Sequence, residues 1–133
     1  MKKIGTLNAQ LSGIIAAMGH SDRLVICDSG LPIPNGSRLV DLALTVNIPR
    51  FVETLSVVLE ELQVERMIVA SEMIRQNGAI YDAVEKLANG VEIRTVSHEE
   101  FKQMTREGDN IAFVRTGEAS PYANAILVSG VTF

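Results

Sequence analysis

The feature that most restricts the fold is the repeated switch of apolar residues between two patterns. One recurs every three to four residues and the other is a short uninterrupted run. Leu7, Leu11, Ile14, Ile15 and Met18 fall on one helical face, and Gly19 follows as a terminator. Residues 23–27 (RLVIC) read as a short buried strand. Residues 28–36 (DSGLPIPNG) hold prolines and turn formers and read as a loop, and 39–44 as a further strand. Pro49 suits a first helical position, ahead of Phe51, Leu55, Val58, Leu59 and Leu62 at helical spacing. A strand over 66–70 follows, then a third helix marked by Ile80, Ala83, Val84 and Leu87 and stopped at Asn89-Gly90. After a strand at 91–96, Ser97 and Glu100 have the spacing of a capping box, opening a short fourth helix. Runs at 111–115 and 125–131 supply the last strands, separated by the loop TGEASPYAN.

Helix and strand in alternation, without repeats or low-complexity tracts, predict a three-layer α/β/α sandwich around a mostly parallel sheet. No interior linker interrupts the pattern, so residues 1–133 read as a single domain. Strand order and the direction of the last strand are not encoded in this periodicity.

A chain of 133 residues and 14.4 kDa fits one core. Its hydrophobic content of 47% and mean hydropathy of +0.19 are high for so small a surface-rich body, which predicts apolar residues at subunit contacts and a homo-oligomer. The net charge of −4 without a Lys/Arg cluster argues against nucleic-acid binding, which needs a dense cationic footprint. Cys27, the single cysteine, cannot form an internal disulfide and fits a reducing compartment. Lys2 and Lys3 ahead of residues 11–18 faintly imitate a signal peptide, but Asn8, Gln10 and Ser12 break the apolar stretch. No run approaches the roughly 20 apolar residues of a membrane span. The expectation is a soluble cytoplasmic protein.

Candidate functional residues lie at the edges of these elements, where α/β proteins gather ligand sites. His20 follows the first helix; an imidazole titrates near neutrality and can give or take a proton, yet a histidine there also suits the last helical carbonyls. Asp28 ends the first strand and suits accepting from ligand hydroxyls, orienting a histidine, or capping its own D-S-G turn. Cys27 reads as a buried apolar side chain facing away from Asp28. His98 begins the fourth helix, where the helix dipole favours neutral imidazole; an exposed first-turn residue is the competing reading. Tyr122 and Asn124 offer a hydroxyl and an amide to a ligand, or simply pack their loop. His20, Asp28, His98 and Glu118 carry metal-ligating groups, but without compact ligand spacing. No dinucleotide fingerprint, phosphate-binding P-loop or nucleophile elbow is present. The expectation is therefore neither metal nor cofactor.

Four segments taken in order carry a resemblance: Met18-Gly19-His20; Asp28-Ser29-Gly30-Leu31-Pro32-Ile33-Pro34; Ser97-His98-Glu99-Glu100-Phe101-Lys102; and Arg115-Thr116-Gly117-Glu118 leading to Pro121-Tyr122-Ala123-Asn124. The chain resembles the D-ribose pyranase family along its whole length, from MKKIGTLN to ILVSGVTF. The resemblance implies interconversion of D-ribose ring forms without a cofactor, with His20 as the proton-donating group. It also implies substrate contacts at Asp28, His98 and Tyr122-Ala123-Asn124. Ring-shaped oligomers follow from it too, often decamers of two stacked pentamers with sites at subunit contacts, working beside ribose uptake and phosphorylation. The related fucose mutarotase branch shares the Gly-His, the Asp after the first strand and the T-G-E…Tyr-x-Asn loop. It differs at GLPIP and S-H-E-E-F, where this sequence has the ribose-type form. A non-catalytic sugar-binding accessory protein of transport would share the polar loops without needing a titrating group.

Overall fold

The computed structural model describes residues 1–133. Its elements run α1 (Ala9–Ala17), β1 (Arg23–Cys27), β2 (Arg38–Asp41), α2 (Phe51–Leu59), β3 (Val64–Ala70), α3 (Ser71–Gln76), α4 (Gly78–Ala88), β4 (Glu92–Val96), α5 (His98–Met104), β5 (Ile111–Arg115) and β6 (Ala125–Ser129). Local chemistry explains several boundaries. The Asn8 side chain accepts from the Leu11 N–H and caps α1, leaving Leu7 outside the helix and exposed. Asn89 ends α4 in the left-handed conformation, at φ 47°. Ser97 caps α5 by accepting from the Glu100 N–H at 3.1 Å, but this is only half of the expected box, because the Glu100 carboxylate faces Arg94 at 3.9 Å.

The six strands form one sheet in the order β2-β5-β1-β6-β3-β4. β1, β2 and β5 are mutually parallel, as are β3 and β4, and β6 runs antiparallel to both of its neighbours. The reversal at β6 has a simple cause. A parallel return needs a crossover of about a dozen residues or more, usually helical, whereas the short loop 116–124 only crosses the end of β1 and turns back. The expected α/β/α sandwich with a mostly parallel sheet is the observed architecture.

Alternation along the strands divides the core. Leu24, Ile26, Met67, Val69, Val114 and Leu127 pack under α1, α2 and α4, meeting Leu11, Phe51, Leu55 and Val84. Val25, Cys27, Ile68, Phe113 and Ile126 face the other way, where Phe101 of α5 and Leu31 of the loop after β1 cover them. The second layer is thus one short helix and a loop.

Several boundaries differ from the sequence reading. Pro49 precedes the Arg50 cap of α2 and is not its first helical residue. β2 ends at Asp41 and β6 at Ser129, short of the predicted 44 and 131. Helix α3 was not predicted, since SEMIRQ is too short to show a helical period and only Asn77 separates it from α4.

Candidate active site

Two adjacent strands deliver the first part of the site. Asp28 leaves the C-terminal end of β1, and Asn124 enters β6 beside it, with Ile26 paired to Ala125. The Asn124 amide holds Asp28 twice: its Oδ1 accepts the Asp28 N–H at 2.9 Å, and its Nδ2 donates to Asp28 Oδ2 at 3.0 Å. The other carboxylate oxygen accepts the Gly30 N–H at 2.9 Å, closing the D-S-G turn. Asn124 is buried, with both ends of its amide bonded to Asp28 at the edge of the cleft described below.

His98 comes from the start of α5. Its N–H donates to Glu72 Oε2 at 2.9 Å, and its ring stacks near Phe101 at a centroid distance of 6.4 Å. Tyr122 meets the His98 ring edge-on at 5.0 Å. Asp28, Gly30, Leu31, Pro32, His98, Tyr122 and Asn124 line one cleft of about 220 Å³. That is smaller than the 300–1,000 Å³ typical of drug-sized ligands and suits a small polar molecule. The His98 Nδ1 is buried without a hydrogen-bond partner, and such atoms are rare unless a ligand or water meets them. Ala123 is fully buried with its methyl in the core, so only its backbone is available near the cleft.

Tyr122 sits in the left-handed region, at φ 59°, and the loop around it is tied down. Asn77 Nδ2 donates to the Pro121 carbonyl at 2.8 Å and to Ser120 Oγ at 2.9 Å. Ser120 Oγ in turn donates to Glu118 Oε1 at 2.8 Å, and Glu118 Oε2 accepts the Phe51 N–H at the start of α2 at 3.1 Å. Glu118 is a buried carboxylate used as a strut, satisfied by N–H and O–H donors. Gly117 beside it is required sterically, because a Cβ there would collide with the Thr45 and Ile48 carbonyl oxygens.

Sequence reasoning missed Glu72 and Asn77, which lie on unpredicted α3 and at its junction with α4. Hydrogen bonds from its own backbone N–H and from the His98 N–H hold the Glu72 carboxyl below its ordinary value. Glu118 carried a signal in the T-G-E motif, though only as a metal-ligand candidate. No group of three or more His, Cys, Asp or Glu side chains is arranged to hold a metal ion.

His20 is not in this cleft. It precedes β1 while Asp28 follows it, so the whole strand, roughly 16 Å at about 3.3 Å per residue, separates them. Its ring is half exposed, with Nε2 2.9 Å from Glu65 Oε2. Within one chain, Asp28, His98, Tyr122 and Asn124 meet and His20 stands apart.

A six-stranded α/β sandwich with a small polar cleft beyond one strand end has the form of a protein that binds a small polar ligand, and family comparison is more specific. Residues 1–132 match the RbsD / FucU transport protein family, and the chain belongs to it. It is 53% identical to a D-ribose pyranase of Actinobacillus pleuropneumoniae and 52% identical to one of Coprothermobacter proteolyticus, over 100% of both chains in each case. Among solved structures, Bacillus subtilis RbsD complexed with D-ribose is 45% identical, with a TM-score of 0.93 over 100% of both chains. The fucose mutarotase of Streptococcus pneumoniae in complex with L-fucose is more distant, at 26% identity and a TM-score of 0.75 over 100% of both chains. The ribose-type form of GLPIP and S-H-E-E-F agrees with that ordering.

Proposed function

We propose that this protein is a D-ribose pyranase, an isomerase that opens the pyranose ring of D-ribose and recloses it as the furanose. The observation that carries the reading is the cleft of Asp28, His98 and Tyr122, with an unpartnered His98 Nδ1, in a chain so similar to a D-ribose-bound relative.

The chemistry needs little. The anomeric hydroxyl loses its proton as the bond from C1 to the ring oxygen breaks, and the ring oxygen gains one. The C4 hydroxyl then adds to the aldehyde, giving up its proton as the carbonyl oxygen takes one back. No atoms or electrons are exchanged, so groups that move protons suffice, and these supply roughly 10²–10⁴-fold in rate. His20 moves the proton. Asp28 Oδ2, His98 Nδ1 and the Tyr122 hydroxyl hold sugar hydroxyls and fix the ring, and Asn124 keeps Asp28 in place.

Because a strand length separates His20 from the cleft, the working site joins the His20 edge of one copy to the cleft of another. Leu44, Val46 and Ile48 are exposed at 80%, 71% and 52%, and this apolar surface supports assembly of several copies, for which the family resemblance implies a decamer of two pentamers. No helix is long and apolar enough to cross a membrane. The reading places the enzyme in the cytoplasm, where ribose arrives by uptake and leaves by phosphorylation.

NMR exchange spectroscopy on D-ribose tests this directly. Catalytic amounts of protein should broaden or exchange pyranose and furanose signals well above the spontaneous rate. No added exchange with ribose, beside accelerated exchange of L-fucose anomers, would assign the protein to the mutarotase reaction instead. Ribose binding without any exchange would make it a binding protein.

A further inference from the structure

Glu65 is the side chain paired with His20, and the β3–β6 ladder is irregular where it lies. In the β3–β6 ladder, Val64 pairs with Ser129 and Arg66 with Val128, so the register shifts across Glu65. An extra residue of this kind is left out of the ladder, and bulges recur where a side chain must be re-aimed. Glu65 uses that freedom to place Oε2 2.9 Å from His20 Nε2. The opposite strand end makes room, since a Cβ on Gly130 would lie 3.1 Å from Glu65 Cβ and 3.3 Å from its N. The Gly130 N–H is meanwhile tied to the Gln63 carbonyl at 2.9 Å. Both side chains are substantially exposed, and exposed ion pairs contribute little to stability, so the fold itself gains little from this arrangement.

We propose that Glu65 is a positioning residue for proton transfer by His20, a proposal that rests on the function assigned to His20 above. By accepting the Nε2–H, Glu65 fixes the ring orientation and the tautomer, leaving Nδ1 as the atom that exchanges protons with the sugar. When Nδ1 takes the proton, the adjacent carboxylate stabilises the imidazolium. A carboxylate orienting a histidine in this way is a general device of acid–base catalysis. The other acidic group on the same turn, Asp22, is engaged by the Gly19 N–H at 2.8 Å. The strand end facing the pair, Ser129 and Gly130, is uncharged.

The test is Glu65→Gln, which keeps the size and one acceptor but removes the charge, compared with wild type and His20→Ala. Ring-exchange rate is followed against ribose concentration to separate kcat from KM, with thermal unfolding alongside. Glu65→Gln should lower kcat about tenfold while leaving KM within twofold and unfolding unchanged. Near-normal kcat in Glu65→Gln, with His20→Ala inactive, would overturn the role of Glu65 while leaving His20 as the proton-transfer group. A tenfold rise in KM with kcat unchanged would also overturn it, pointing to a structural effect at the subunit contact. Full activity in His20→Ala would instead refute the underlying assignment of His20.

Discussion

Replacing Asn124 by Ala separates a residue that touches sugar from one that holds another residue in place. Asn124 is buried and its amide is taken up by Asp28, through bonds of 2.9 and 3.0 Å. Truncation leaves the Asp28 N–H without its acceptor, at a cost of about 1–2 kcal/mol for a buried orphaned donor. It also removes a hydrogen bond to a carboxylate, ordinarily worth about 1.5–3 kcal/mol, though water entering the cleft at half-buried Asp28 recovers part of this. The sum is roughly 2–4 kcal/mol, equivalent to a fall in Tm of about 7–14 °C at some 280 cal/mol/K of unfolding entropy for a chain of this size. Ribose affinity should fall as well, because the Asp28 carboxylate loses one of its two anchors. Asn124→Asp is the informative companion: it keeps the shape and the acceptor for the Asp28 N–H but sets a carboxylate against Asp28 Oδ2. It should therefore be at least as unstable as the alanine variant at neutral pH. The assay is thermal and urea unfolding at fixed protein concentration, since assembly makes stability concentration-dependent, together with ribose titration. If Asn124→Ala unfolds within about 0.5 kcal/mol of wild type yet binds ribose much more weakly, the amide contacts the sugar directly and the positioning argument is wrong.

Four further outcomes are expected. His20→Ala should nearly abolish ring exchange while changing unfolding by less than about 1 kcal/mol, because the side chain is exposed and its ion pair weak; near-normal exchange by the folded variant would make His98 the next proton-transfer candidate. Burial pushes the Cys27 thiol from 9.0 up to about 12, with Asp28 adding to the rise, so the native protein should resist iodoacetamide near pH 8 and react once unfolded. The same shift means that Cys27 supports the fold fully below pH 9 and loses that contribution as pH rises towards 12, so Cys27→Ala should show a shallower alkaline loss of stability in urea titrations. Phe101→Ala should cost about 3–5 kcal/mol by chemical denaturation, since this fully buried ring comes from the only helix covering its face of the sheet.

The sequence by itself determined the elements whose cause is local. Strands β1 and β5 were legible to the residue because their apolar runs are bounded by turn formers, the stop of α4 at Asn89-Gly90 follows from left-handed backbone, and the Ser97 cap from a short-range hydrogen bond. The family-like motifs also marked Asp28, His98 and Tyr122, which meet in one cleft. Tertiary structure decided the rest, because it depends on pairings between residues far apart in the chain. The insertion of antiparallel β6 between β1 and β3 brings Asn124 against Asp28, and no periodicity encodes that neighbour relation. The same fold puts His20 a full strand away from the cleft, at the opposite end of β1 from Asp28. Glu65 was invisible for the same reason: it lay just ahead of the strand expected over 66–70, and only the one-residue shift of β3 against β6 accompanies its contact with a histidine 45 positions earlier.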